Sequence, residues 1–116
     1  MTAEVGRLLC RLAEIADPGS RGFELDDRPG GRAIFLVRRG ATLAAYVNSC
    51  PHTGGPLDWV EDQFLDFDRR HILCATHGAL FRVEDGHCLA GPCKGQGLTA
   101  VAIVVAEGEV RLAKED

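Results

Sequence analysis

Apolar and polar positions along this chain alternate in short blocks separated by glycine. Ala33-Ile34-Phe35-Leu36-Val37 is a continuous apolar run, the pattern of a strand buried on both faces. Arg39-Gly40 can turn that run back into Thr42-Leu43-Ala44-Ala45-Tyr46-Val47. Asp85-Gly86 is a type I′ hairpin signal between Leu80–Val83 and a strand near Cys88-Leu89. Glu107-Gly108 is another, joining Val101–Val105 to Val110-Arg111-Leu112. Strands this short and this closely spaced predict an all-β fold, an antiparallel sandwich or barrel. The N-terminus pulls the other way. Val5, Leu8, Leu9, Leu12 and Ile15 recur at helical spacing, and periodicity alone predicts an amphipathic helix there.

The chain has 116 residues, enough for one core and too few for a second catalytic domain. Its formal net charge is −4, whereas nucleic-acid binding calls for a basic face. The opening Met1-Thr2-Ala3-Glu4 carries an acid, and Arg7 and Arg11 interrupt the apolar residues that follow, so no signal peptide is expected. The longest uncharged apolar stretch, Leu98 to Ala106, is far too short for a membrane span. No glycine-rich dinucleotide fingerprint is present, so a partner must handle any hydride.

Two ligand-like pairs carry the chemistry: Cys50-Pro51-His52 and Cys74-Ala75-Thr76-His77. Two Cys and two His are the ligand set of a [2Fe–2S] centre in which imidazoles replace thiolates on one iron. A structural zinc site uses the same residue types, but its common order is two Cys followed by two His. The interleaved order here lets each loop give its Cys to one iron and its His to the other. His71 and His87 remain outside this set and are expected at the surface. Cys10 lies in an apolar stretch and reads as a small buried hydrophobe. Cys88 and Cys93 bracket Gly91-Pro92 and are near enough for a local disulfide, although nothing places the chain in an oxidising compartment.

From about Leu43 onward the chain resembles the Rieske iron–sulfur proteins. The resemblance rests on Cys74-Ala75-Thr76-His77-Gly78-Ala79-Leu80-Phe81, on Asp85-Gly86 and Gly91-Pro92, and on Thr53-Gly54-Gly55-Pro56-Leu57 after the first pair. It implies a Rieske-like antiparallel β-sandwich or barrel over residues 1–116, with a small inserted cluster lobe at about 48–92. It implies one [2Fe–2S] cluster per chain, Cys50 and Cys74 on one iron and His52 and His77 on the other, with Gly91-Pro92 in a covering loop. It also implies a strand over Arg7–Leu12 followed by a helical turn, and that reading is preferred here to the helix.

The function implied is that of a soluble, cytoplasmic ferredoxin, an electron carrier and not itself an enzyme. It would take electrons from a reductase and pass them to an acceptor such as a ring-hydroxylating oxygenase, with no role for nucleic acid or membrane. The alternative is a Rieske-like small subunit of a larger complex, such as an assimilatory nitrite reductase. One departure from the family is the spacer from Thr53 to Leu73, whose 21 residues exceed the usual length. Asp58, Glu61, Asp62, Asp66 and Asp68 crowd this spacer, which suggests an acidic docking edge with Trp59 and Phe64 as apolar anchors.

Overall fold

The computed structural model describes residues 5–24, 33–49, 57, 63–68, 70–74, 78–91 and 96–113. Among the described residues are nine strands: β1 (Val5–Arg11), β2 (Gly19–Glu24), β3 (Ala33–Arg39), β4 (Thr42–Val47), β5 (His71–Cys74), β6 (Ala79–Arg82), β7 (Cys88–Ala90), β8 (Ile103–Ala106) and β9 (Glu109–Ala113). They form three antiparallel three-stranded sheets, β1-β9-β8, β2-β3-β4 and β5-β6-β7. No helix among the described residues is long and apolar enough to cross a membrane.

The uninterrupted apolar run of β3 explains the layering. Ile34, Phe35, Leu36 and Val37 are all fully buried. Side chains alternate across a strand, so the two pairs face opposite ways. Phe35 and Val37 pack with Tyr46, Leu57, Phe64, Ile72, Phe81 and Val83 in the core shared with β5-β6-β7. Ile34 and Leu36 pack with Cys10, Ile15, Ala45, Val101 and Val110 in the core shared with β1-β9-β8. The sheet β2-β3-β4 is therefore a middle layer with a core on each face.

The N-terminal segment is a strand, with a single 3-10 turn at Leu12–Glu14. Its register against β9 shifts between Val5 and Leu8 and again between Leu8 and Cys10. Each irregularity offsets the alternation of faces, so apolar residues fall at spacings that imitate a helix. The turn is fixed by polar contacts: the Glu14 carboxylate accepts from Arg11 N at 3.0 Å, and the Arg38 guanidinium donates to the carbonyls of Leu12 and Ile15 at 3.2 and 3.0 Å.

The two hairpin signals resolve differently. Glu107 and Gly108 both take positive φ, 54° and 76°, as a type I′ turn requires. At Asp85-Gly86 only the glycine does, with φ 74°, and the loop between β6 and β7 is longer, covering residues 83–87. The difference comes from side chains. Asp85 accepts from His87 N at 3.0 Å and is paired with the Arg82 guanidinium at 2.8 Å, while Gly86 is backed by the ring of Tyr46. A Cβ at Gly86 would lie 2.8 Å from that ring.

Candidate metal centre

Of the four candidate ligands, Cys74 lies within the described residues; Cys50, His52 and His77 do not. Cys74 is the last residue of β5 and is fully buried. It pairs directly with Ala79 across the β5–β6 hairpin, and Gly78 N donates to its carbonyl at 2.9 Å. That bond ties together the two ends of the segment from Cys74 to Gly78. Gly78 itself has φ 73°, a conformation that glycine adopts without steric cost.

The segment holding the first pair is bracketed by a contact that motif reading missed. The Asn48 side-chain oxygen accepts from the backbone N of Leu57 at 2.8 Å, and Leu57 is fully buried. Asn48 immediately follows β4, and its own N donates to Ala33 O at 2.9 Å. An Asn near the first Cys was the available signal, since Asn side chains commonly bond to the backbone in loops. Both ligand-bearing segments thus leave and rejoin hydrogen-bonded structure at defined points.

Between the two pairs, Phe64 anchors the polypeptide to the core. Expected as a docking anchor, Phe64 is fully buried, its ring stacked on Phe35 at 4.2 Å with an interplanar angle of 4°. Its N donates to Ser20 Oγ at 3.0 Å, and its carbonyl accepts from Leu73 N at 2.9 Å. The burial of so large an apolar surface outweighs anything an acidic surface loop offers it. Among the described residues the exposed aromatic is Phe67, 98% accessible, in a turn where the Asp66 carboxylate accepts from the N of Arg70 and of His71 at 2.9 and 3.3 Å. Partial burial alone would raise the Asp66 pKa, but these amides and the neighbouring His71 side chain together hold it below the usual carboxylate range. Trp59, Asp58, Glu61 and Asp62 lie outside the described residues.

His71 opens β5, half-exposed, with Nδ1 at 3.5 Å from Asp66 Oδ2; His87 is exposed beside the Asp85 turn. Neither sits near Cys74 in the strand pairing, since His71 and His87 flank the opposite end of the hairpin, around Arg82. Cys10 is buried as expected, and burial pushes its thiol pKa up. Cys88 is buried and disulfide-bonded; Cys93 lies outside the described residues. Among the described residues, a groove of about 570 Å³ is lined by Ala16, Pro18, Gly19, Gln63, Leu65 and Phe67.

The model for the Rieske [2Fe-2S] domain matches residues 8–110. The chain belongs to the Rieske [2Fe-2S] family. A Rieske domain binds a [2Fe–2S] cluster, and a buried cysteine sulfur at a strand end is a donor that suits that group. No curated protein matches the chain. Among solved structures it is similar to the ferredoxin of carbazole 1,9a-dioxygenase from Nocardioides aromaticivorans IC177, at 24% identity and TM-score 0.72, covering 95% of this chain and 100% of that one. It is also similar to a chain in the complex of reduced oxygenase and oxidised ferredoxin of carbazole 1,9a-dioxygenase, at 25% identity and TM-score 0.74, covering 97% and 96%. The putative NADH-dependent nitrite reductase small subunit from Mycobacterium tuberculosis shares 20% identity and TM-score 0.66, covering 94% of each chain. This Rieske chain is nearly all β, as its short glycine-punctuated strands imply.

Proposed function

We propose that this Rieske protein is a one-electron carrier that receives electrons from a reductase and delivers them to an oxygenase-type acceptor. Cys50, His52, Cys74 and His77 would hold the cluster. When bound, the cluster supplies a one-electron couple, and two neutral imidazoles in place of thiolates make the added electron less costly. The chain's own residues would support it: the Gly78 N to Cys74 O bond and the Asn48–Leu57 bond tie the ends of the two candidate ligand segments, and the fully buried Ile72, Ala79 and Phe81 keep water from the strand pair that carries Cys74. The observation that carries the reading is the near end-to-end mutual coverage with a ferredoxin of an oxygenase system, in a chain that keeps the complete Cys₂His₂ set.

The test is direct. Anaerobically purified protein should be red-brown, with about two irons and two sulfides per chain and, once reduced, the electron spin resonance signal of a mixed His/Cys [2Fe–2S] centre. His52→Ala and His77→Ala should abolish stable assembly, while His71→Ala and His87→Ala should leave the spectrum unchanged. A colourless protein with stoichiometric zinc would end this reading.

The likeness to a nitrite reductase small subunit supports a second reading, a component of a larger reductase complex. Co-purification separates the two: a carrier elutes alone and stable, whereas an obligate subunit needs its partner.

A further inference from the structure

Gly91 lies against the strand pair that ends in Cys74. Cys74 on β5 is registered opposite Ala79 on β6, and Leu80 is registered opposite Ala90 on β7. The next position brings Gly91 onto Ala79, so Cys74, Ala79 and Gly91 form one row across the sheet. Cys74 and Ala79 are both fully buried. The row is close-packed: a Cβ at position 91 would sit 2.8 Å from Ala79 Cα and 3.1 Å from Ala79 Cβ. The nearest atom is backbone, which cannot rotate away as a flexible side chain would. Gly91 also has φ 102°, which side-chain-bearing residues rarely adopt.

From this row we infer that Gly91 is a positioning residue for Cys74, acting through Ala79. The inference rests on the reading of Cys74 as a cluster ligand. A side chain at 91 must displace the Ala79 backbone, and the ladder bonds of the hairpin carry that displacement to its partner Cys74. The thiolate is then offset from the position its iron requires. Groups that orient ligands without touching the metal typically change metal retention by an order of magnitude or more.

Three glycines make the test specific. Gly40 and Gly108 also have positive φ, 61° and 76°, but a Cβ at either meets nothing within 4 Å. Gly40→Ala and Gly108→Ala therefore impose backbone strain without the contact. Cluster-loaded wild type, Gly91→Ala, Gly40→Ala and Gly108→Ala are compared by electron spin resonance and by the rate of iron loss to a chelator. The expected result is a shifted spectrum and iron loss about tenfold faster in Gly91→Ala, with wild-type spectra in the two controls whatever their thermal stability. Ala79→Gly loosens the same row from the other side and should also shift the spectrum, which provides a measurement if Gly91→Ala does not fold. A wild-type spectrum and loss rate in Gly91→Ala, or equal changes in the controls, overturn the positioning role. Cys74→Ala checks the underlying reading: failure to assemble supports it, and a retained native cluster overturns both.

Discussion

Asn48 Oδ1 accepts the backbone N–H of Leu57 across the segment that holds Cys50 and His52, at 2.8 Å. The bond joins the exit of β4 to a fully buried leucine, so it ties the two ends of the segment that carries the first candidate ligands. Asn48→Ala leaves the Leu57 amide without this acceptor and should cost about 1–2 kcal/mol. Asn48→Asp keeps an acceptor and should recover much of that loss. Thermal melts, with chelator-induced iron release measured alongside, check both; equal behaviour of Ala and wild type would show that the closure is not needed.

The midpoint potential should lie low in the Rieske range, on the order of −150 mV rather than +300 mV. Hydroxyl donors to cluster sulfur favour the reduced state. The positions where high-potential relatives would carry them are Ala79 and Phe81, both fully buried here and without a donor. Ala79→Ser and Phe81→Tyr should each raise the potential if the new hydroxyl reaches sulfur. A redox titration decides, and a wild-type value well above 0 mV would contradict the reasoning.

Tyr46 donates its hydroxyl to Val83 O at 2.6 Å, linking the middle sheet to the turn after β6. Tyr46→Phe should lower stability by about 1.5 kcal/mol, because a buried carbonyl loses its donor. Burial first, and then the charges of Asp85 and Glu84, push the Tyr46 pKa up to about 12 from 10. The folded state therefore keeps a proton that the unfolded state releases. The stabilisation is complete below pH 10 and is lost as pH rises from 10 toward 12. Denaturant titrations at about pH 9 and 11 should show this alkaline loss in wild type and a smaller one in Tyr46→Phe.

The acidic spacer is expected to steer a basic partner. Asp66 is a poor residue for testing this, because its carboxylate holds the amides of Arg70 and His71. Asp62→Asn with Asp68→Asn should slow electron transfer at low ionic strength, with the potential unmoved and the effect fading with salt. Equal rates across a salt series would sink the idea. Asp66→Asn should instead lower thermal stability near neutral pH, where the lowered pKa keeps the native carboxylate ionised. The gap from wild type should shrink as pH falls through the native pKa, because the protonated carboxyl loses those bonds.

Most of the fold is legible in the sequence because its strands are short and punctuated. The apolar run at 34–37 marks a strand covered on both faces, and Glu107-Gly108 marks the turn between β8 and β9. The Asp85 turn departs from the dipeptide signal because its geometry is set by Arg82 and Tyr46, residues that such a signal does not include. Phe64 departs for a related reason: local composition describes an acidic loop, while its burial depends on Phe35, distant in the chain. At the N-terminus, irregular pairing with β9 disguises a strand as a helix, and only the family resemblance points the right way. The candidate ligand pairs stand out as a motif; Asn48 beside the first Cys hints at its contact, but its partner Leu57 and the Cys74–Ala79–Gly91 row depend on pairing that no local pattern encodes.

The stacking of Phe64 on Phe35 bears on how the 21-residue spacer can vary. With Leu57 and Phe64 both buried, the spacer is divided into spans that begin and end on fixed points of the core. The entropy of closing a loop grows only with the logarithm of its length, about 0.6 kcal/mol for each doubling. Residues can be added or removed between Leu57 and Phe64 at little cost, while Phe64 keeps β5, and with it Cys74, in place. Changes of length and charge in that stretch are therefore expected to leave β5, and the candidate ligand Cys74 at its end, undisturbed.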